Sequence, residues 1–206
     1  MGSGLTETTL DRVFFERPVL DVAPDLLGVV VSHSGVSVRL TEVEAYDGED
    51  DPGSHAFRGP TSRNATMFGP PGHLYVYFTY GMHWCANVVC GPEGRASAVL
   101  LRGGEVVAGA ARAQQRRGPA VRARDLARGP ARLTQALGLD RRHDGADLFG
   151  EAFDLRRPAV PPGPASRGPR VGLRHAADRP WRFWIGGDRF VSDYRPATDR
   201  RTRRTR

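Results

Sequence analysis

The chain contains no lysine; all 30 of its basic residues are arginines. That absence removes the side-chain amine that Schiff-base catalysis needs and leaves only the N-terminus for such chemistry. Cysteine is scarce as well. Cys85 and Cys90 are too few for a disulfide framework and lack the partner pair of a structural zinc site, so they read as reduced core thiols of a cytoplasmic protein. No apolar run approaches the ~20 residues of a membrane-spanning helix, and no charged-then-apolar leader opens the sequence. There is no phosphate-cradling P-loop, no GxGxxG fingerprint and no HxxxH or HxE metal spacing. Neither a cofactor nor a metal is expected.

What is present points to an anionic partner. The net charge is +7 and the isoelectric point is near 10.3, which favours a polyanion. The 206 residues suit one domain with a core of its own, here residues 1–195, followed by a basic tail at 196–206 expected to be disordered.

Along the chain, apolar spacing between Thr9 and Gly28 predicts two short helices around Pro18. Val29 to Tyr46 reads as a hairpin turning at Ser34-Gly35. Within its second strand Val36, Val38, Leu40, Glu42, Glu44 and Tyr46 share one parity, which puts both glutamates on the apolar side. A carboxylate there is costly unless partnered or used. The other possibility is that the strand bulges or ends near Thr41 and both acids are solvated. Asp47 to Gly72 is rich in Gly, Pro and Asp and predicts a long loop carrying His55, Arg58 and Arg63. Leu74 to Val89 alternates again, with Tyr75, Tyr77 and Thr79 on one face and a turn at Tyr80-Gly81. Ala96 to Arg102 reads as a third strand, Glu105 to Arg117 as a helix, and Pro130 to Gly138 as an amphipathic helix. Arg156 to Pro169 reads as a Pro-rich connector, and residues 181–186 as a last strand.

The strings EVEAY, RNATMFGPPGHLYVYFTYGMHWCANV, VLLRGGE, GPARLTQALGL and GPRVGL resemble, in type and order, the alkyladenine (3-methyladenine) DNA glycosylases. The resemblance runs from about Leu20 to Gly186. It implies a single compact α+β domain, with a mixed, mostly antiparallel sheet flanked by helices and a protruding β-hairpin. It implies a monomer that acts on double-stranded DNA containing damaged purines (3-methyladenine, 7-methylguanine and hypoxanthine). Such an enzyme flips the base into a pocket and hydrolyses the N-glycosidic bond, leaving an abasic site without lyase activity.

By position in those motifs, Glu44 resembles the general base and Arg102 the arginine near the catalytic water and the DNA backbone. Tyr46, His55 and Tyr77 resemble the pocket that sandwiches the base. Asn87 resembles the residue that rejects the amino group of guanine, and Tyr80 resembles the intercalating wedge. Glu42 reads as structural, although the swapped assignment of the two glutamates stays open. His83 departs from the aromatic residue usual beyond the wedge. Two rival readings remain: a catalytically silent DNA-binding module of the same fold, and a metallohydrolase built on Glu44, His55 and His83.

Overall fold

The structure, a computed structural model, describes residues 8–79 and 81–197. Its organising element is an eleven-residue strand, β2 (Val36–Tyr46), in the middle of an antiparallel sheet. The strands around it are β1 (Val30–His33), β3 (Leu74–Thr79), β4 (His83–Val89), β5 (Ala98–Ala108) and β6 (Phe153–Arg156), ordered β3-β4-β5-β2-β1-β6. Two three-residue strands, β7 (Ser166–Gly168) and β8 (Arg182–Trp184), complete it, with β8 pairing the far half of β2. One edge of β2 therefore meets β5 along its length, and the other is shared by β1 and then β8. Every strand pairing among the described residues is antiparallel.

Among the described residues, three helices flank the sheet: α1 (Val19–Asp25), α2 (Ala110–Arg117) and α3 (Pro130–Leu137). α1 buries Val19, Val22 and Ala23 and α3 buries Leu133, Ala136 and Leu137, while α2 buries Ala113 alone. These join Val36, Val38, Leu40, Val43, Ala45, Leu74, Val76, Val99 and Leu101 from the strands in one core. The expected α+β architecture is what is found.

The local expectations fare unevenly. Pro18 does separate a short 3-10 turn (Arg12–Glu16) from α1. Ser34 and Gly35 both take left-handed backbone, at φ 49° and 75°, as a tight two-residue hairpin turn requires. Proline at the first turn of α3 and a left-handed Gly138 at its end bound that helix as read.

The third strand is a correction. It does not stop at Arg102 but runs through Gly103-Gly104 to Ala108, and α2 begins only at Ala110. Glycines usually weaken a strand, but here they are what lets β5 approach β2. A Cβ at Gly104 would lie 2.4 Å from both the Arg39 carbonyl oxygen and Val38 Cγ1. The Pro-rich connector also contributes β7, which pairs β8. The β3–β4 hairpin forms and pairs Thr79 with His83, one residue beyond what a two-residue turn at Tyr80-Gly81 would give; Tyr80 itself lies outside the described residues. So do residues 198–206 of the expected tail.

Candidate active site

The geometry of the site begins with two compensating irregularities in one strand pair. Leu40 pairs Gly104 and Glu42 pairs Gly103, so Thr41 is an extra residue on β2. Val43 then pairs Leu101, so Arg102 is the extra residue on β5. An extra residue reverses which face its successors occupy. Val36, Val38 and Leu40 point into the core, and after the bulge Val43 and Ala45 take over that side. Glu42, Glu44 and Tyr46 are turned to the opposite face. The parity expectation, which put both acids with the apolar residues, is thus overturned by the bulge at Thr41. Solvation of the acids is overturned too, because Glu42 and Glu44 are both 0% exposed.

On that opposite face lies a cavity of about 320 Å³. Glu44, Tyr46, His55, Tyr77, Asn87 and Arg102 all line it, although they come from β2, the 47–73 loop, β3, β4 and β5. Of the seven residues singled out in the sequence, six are brought together; Tyr80 is outside the described residues.

Glu44 is oriented at both oxygens. Oε2 accepts from the Tyr46 hydroxyl at 2.9 Å and Oε1 from the Val171 backbone N–H at 2.7 Å. A terminal nitrogen of Arg102 stands 3.4 Å from Oε1. Burial first, and then the Glu44 carboxylate, push the Tyr46 hydroxyl well above its ordinary pKa, so it stays a donor. For Arg102, burial works against the charge, but Glu44 and then Glu42 outweigh it and raise its pKa.

The walls are aromatic. Tyr75 and Tyr77 stack with centroids 5.3 Å apart, and the His55 ring meets Tyr77 edge-on at 4.6 Å. His55 Nδ1 lies 3.1 Å from the Tyr75 hydroxyl. Burial, and then the nearby Arg63 cation, lower the His55 pKa, which favours a neutral imidazole. Burial lifts Tyr75 to about 12. Asn87 is nearly buried; its side-chain amide donates to the Tyr75 carbonyl at 3.2 Å and fixes how the amide meets the cavity. Cys85 adds a thiol to the wall, raised by burial to about 11.

Several supporting residues were not found from sequence. Tyr75, read on the same strand face as Tyr77 but given no role of its own, also lines the cavity. Arg170 and Asp51 form a fully buried ion pair, with Arg170 Nη2 donating to Asp51 Oδ1 at 2.7 Å. The Arg170 guanidinium also lies 4.6 Å from the Tyr46 ring centroid, on the residue that precedes Val171. Asn64 ties the long loop together by donating to the carbonyls of His55 and Gly59 at 3.0 and 3.1 Å. The GPRVGL string was the one available signal for Arg170 and Val171; nothing in spacing or composition pairs Arg170 with Asp51.

The arginines sort into two groups. Arg116 and Arg117 are occupied inside the fold, donating to the carbonyls of Ala136 and Leu126 at 2.8 and 3.0 Å. Arg128 likewise holds Val191 O and Asp193, each at 2.7 Å. By contrast Arg124, Arg132 and Arg195 are exposed and rim a second, polar cavity that shares Arg102 and Val171 with the first. His83 is exposed at the start of β4 and does not line the cavity of Glu44 and His55. Among the described residues, no three His, Cys, Asp or Glu side chains converge in a metal-binding group.

Comparison with known proteins agrees with this geometry. The family model for methylpurine-DNA glycosylase (MPG) matches residues 13–189. A protein of Streptomyces avermitilis is 56% identical over 205 residues, covering 95% of this chain and 96% of the relative. One from Frankia casuarinae is 55% identical over 195 residues, 89% and 92% of the two chains. One from Burkholderia lata is 52% identical over 187 residues, 89% and 90%. All three carry the name "Putative 3-methyladenine DNA glycosylase". A fully buried carboxylate set into an aromatic cavity, a basic rim and a match over most of the chain lead to one conclusion: the chain belongs to the methylpurine-DNA glycosylase family.

Proposed function

We propose that this glycosylase flips an alkylated purine out of duplex DNA into the cavity and cuts its N-glycosidic bond with water activated by Glu44. The observation that carries the reading is a carboxylate with no solvent exposure, fixed at both oxygens, at the wall of an aromatic-lined cavity. At about 320 Å³ the cavity is at the small end of ligand pockets, about 300–1,000 Å³, a size suited to one flat ring system. As the bond from C1′ to the base nitrogen breaks, positive charge grows on the sugar and the bonding electrons pass to the base, cancelling the positive charge of an alkylated ring. Glu44 takes a proton from water while the oxygen bonds to C1′, and its negative charge opposes that of the sugar. Tyr46 and the Val171 N–H hold the carboxylate in place as donors that keep their own protons.

Tyr46, Tyr77 and His55 sandwich the extruded ring. Their π faces favour cationic rings such as 3-methyladenine and 7-methylguanine. Neutral hypoxanthine depends more on protonation as it leaves. Asn87, pinned to the Tyr75 carbonyl, leaves no room for the 2-amino group of guanine. Tyr80 fills the vacated stack, and Arg124, Arg132 and Arg195 meet phosphates beside the flipped nucleotide. Such contacts set affinity and salt dependence without reading sequence. The product is an intact abasic site, since the chain has no lysine to form a Schiff base. The enzyme works as a monomer in the cytoplasm.

The test is incubation with duplexes each carrying one defined lesion, with and without chelator, followed by assay of free base and of strand breaks. Free purine released despite chelator, with strands cut only after alkali, supports the reading. Duplex binding without release would select a silent module, and release abolished by chelator would select a metal enzyme. A borohydride-trapped enzyme–DNA adduct would overturn the monofunctional part.

A further inference from the structure

Two glutamates occupy the buried face of β2 beyond the bulge, and the chemistry above uses only Glu44. Glu42 does not line the cavity, yet it is 0% exposed and collects three strong donors. Oε1 accepts from Arg102 Nε at 2.8 Å and from Arg182 Nε at 2.7 Å, and Oε2 accepts from the Ser192 backbone N–H at 2.7 Å. Burial opposes its charge, but Arg102, Arg182 and that N–H outweigh burial and hold the carboxyl below its ordinary pKa. Glu42 therefore stays ionised as a fixed anion behind the site.

Its effect falls on Arg102. The guanidinium is divided between two carboxylates, with its Nε edge on Glu42 at 2.8 Å and one terminal nitrogen 3.4 Å from Glu44. A guanidinium left alone with a buried carboxylate closes into a bidentate pair. Here Nε is held by Glu42, which rules out a side-on fork and leaves the guanidinium turned so that only one terminal nitrogen faces Glu44. Ser192 Oγ, 3.4 Å from the other terminal nitrogen, guides the group to the same place.

We propose that Glu42 is a positioning residue: by holding the Nε edge of Arg102 it keeps the guanidinium from closing on Glu44, so the Glu44 carboxylate stays open to water. The inference rests on the reading of Glu44 as the base. A carboxylate offers about four lone-pair sites; Tyr46 and Val171 use two, and a bidentate Arg102 would take what water needs. In Glu42→Gln the counter-charge is gone, and the amide must turn its NH2 towards the arginines or towards the Ser192 N–H. Arg102 is then drawn to the one carboxylate that remains.

The experiment is single-turnover excision from a single-lesion duplex, per active molecule as titrated with that duplex, together with duplex affinity. Wild type, Glu42→Gln, Glu42→Asp and Arg102→Gln are compared with both Glu42 variants placed in the Arg102→Gln background. Glu42→Gln should slow excision about 10–100-fold, the range known for groups that orient the ligands of a metal and taken here for a carboxylate that orients a guanidinium, while duplex affinity stays near that of wild type. Glu42→Asp, which keeps the charge one methylene away, should fall between the two. In the Arg102→Gln background neither change should cost more than about twofold, because the group through which Glu42 acts has gone. A purely structural role would instead lower the folded fraction and leave the rate per active molecule unchanged. That outcome, or losses of equal size in both backgrounds, overturns the proposal. If Glu42→Gln yields too little folded protein, the Glu42→Asp cycle decides by the same criterion. Glu44→Gln separates the two levels: inactivity there with an additive Glu42 cycle sinks this inference alone, and full activity there sinks the reading on which it rests.

Discussion

Replacing Arg170 with methionine should destabilise the protein severely although Arg170 is absent from the cavity wall. Its side chain is fully buried, donating to the Ala45 carbonyl at 2.9 Å and to both oxygens of Asp51, which is 0% exposed. The guanidinium also lies over Tyr46 at 4.6 Å and Trp181 at 5.1 Å. Methionine fills comparable space but leaves the Asp51 charge with only the Gly53 N–H at 3.0 Å, a long contact from the Asp47 N–H and Arg179 at 4.0 Å. Breaking a buried pair from one side costs about 3–5 kcal/mol. At roughly 2–4 °C per kcal/mol for a chain of this size, that lowers the melting midpoint by about 6–20 °C. The assay is chemical denaturation of Arg170→Met beside the double variant Arg170→Met/Asp51→Asn. The second change removes the stranded charge but keeps an oxygen for the Gly53 N–H, so stability should partly return. A single variant within about 1 kcal/mol of wild type, the size of an ordinary substitution, would refute the reasoning, as would a double variant weaker than the single.

Three further outcomes are expected. Tyr80→Ala should weaken binding to a lesion duplex far more than to a lesion-bearing single strand, because only the duplex has a stack to fill; equal losses would make Tyr80 a general contact. Asn87→Ser should raise release of normal guanine relative to alkylated purine, and an unchanged ratio in a competition assay would remove Asn87 from specificity. Because burial and Arg63 lower the His55 pKa, the unfolded chain takes up that proton first as pH falls. The stability contributed by neutral His55 is then complete above about pH 6.5 and is lost on acidification. Denaturation midpoints at pH 7.5 and 5.5 should differ less in His55→Asn than in wild type, and equal differences would contradict the burial argument.

How far the sequence was readable depends on the range of the interaction involved. Hairpins, caps and short helices follow from local chemistry, which is why Ser34-Gly35, Pro130 and Gly138 behave as read. The direction in which Glu44 points does not follow, because it depends on one extra residue at Thr41 matched by another at Arg102 on a strand some sixty positions away (|i−j| = 60 for Glu42 and Arg102). Gly103-Gly104 misled in the same way: a pair that locally signals a strand's end instead lets β5 lie against Arg39. The residues that meet in the cavity were legible by their motifs rather than by periodicity. Their supports, Arg170 with Asp51 and Glu42 with Arg182, join positions more than a hundred residues apart and have no local signature.

Single-turnover excision by Glu44→Gln on a duplex with one 3-methyladenine or hypoxanthine tests the central claim most directly. Glutamine keeps the size of the side chain and an oxygen for the Val171 N–H or the Tyr46 hydroxyl, but it neither accepts a proton readily nor carries charge. Loss of a positioned base typically costs about 10²–10⁴-fold in rate, and that loss is expected here with duplex affinity retained. Excision by Glu44→Gln within about tenfold of wild type, a barrier change of only ~1.4 kcal/mol, would contradict the assignment of Glu44 as the base.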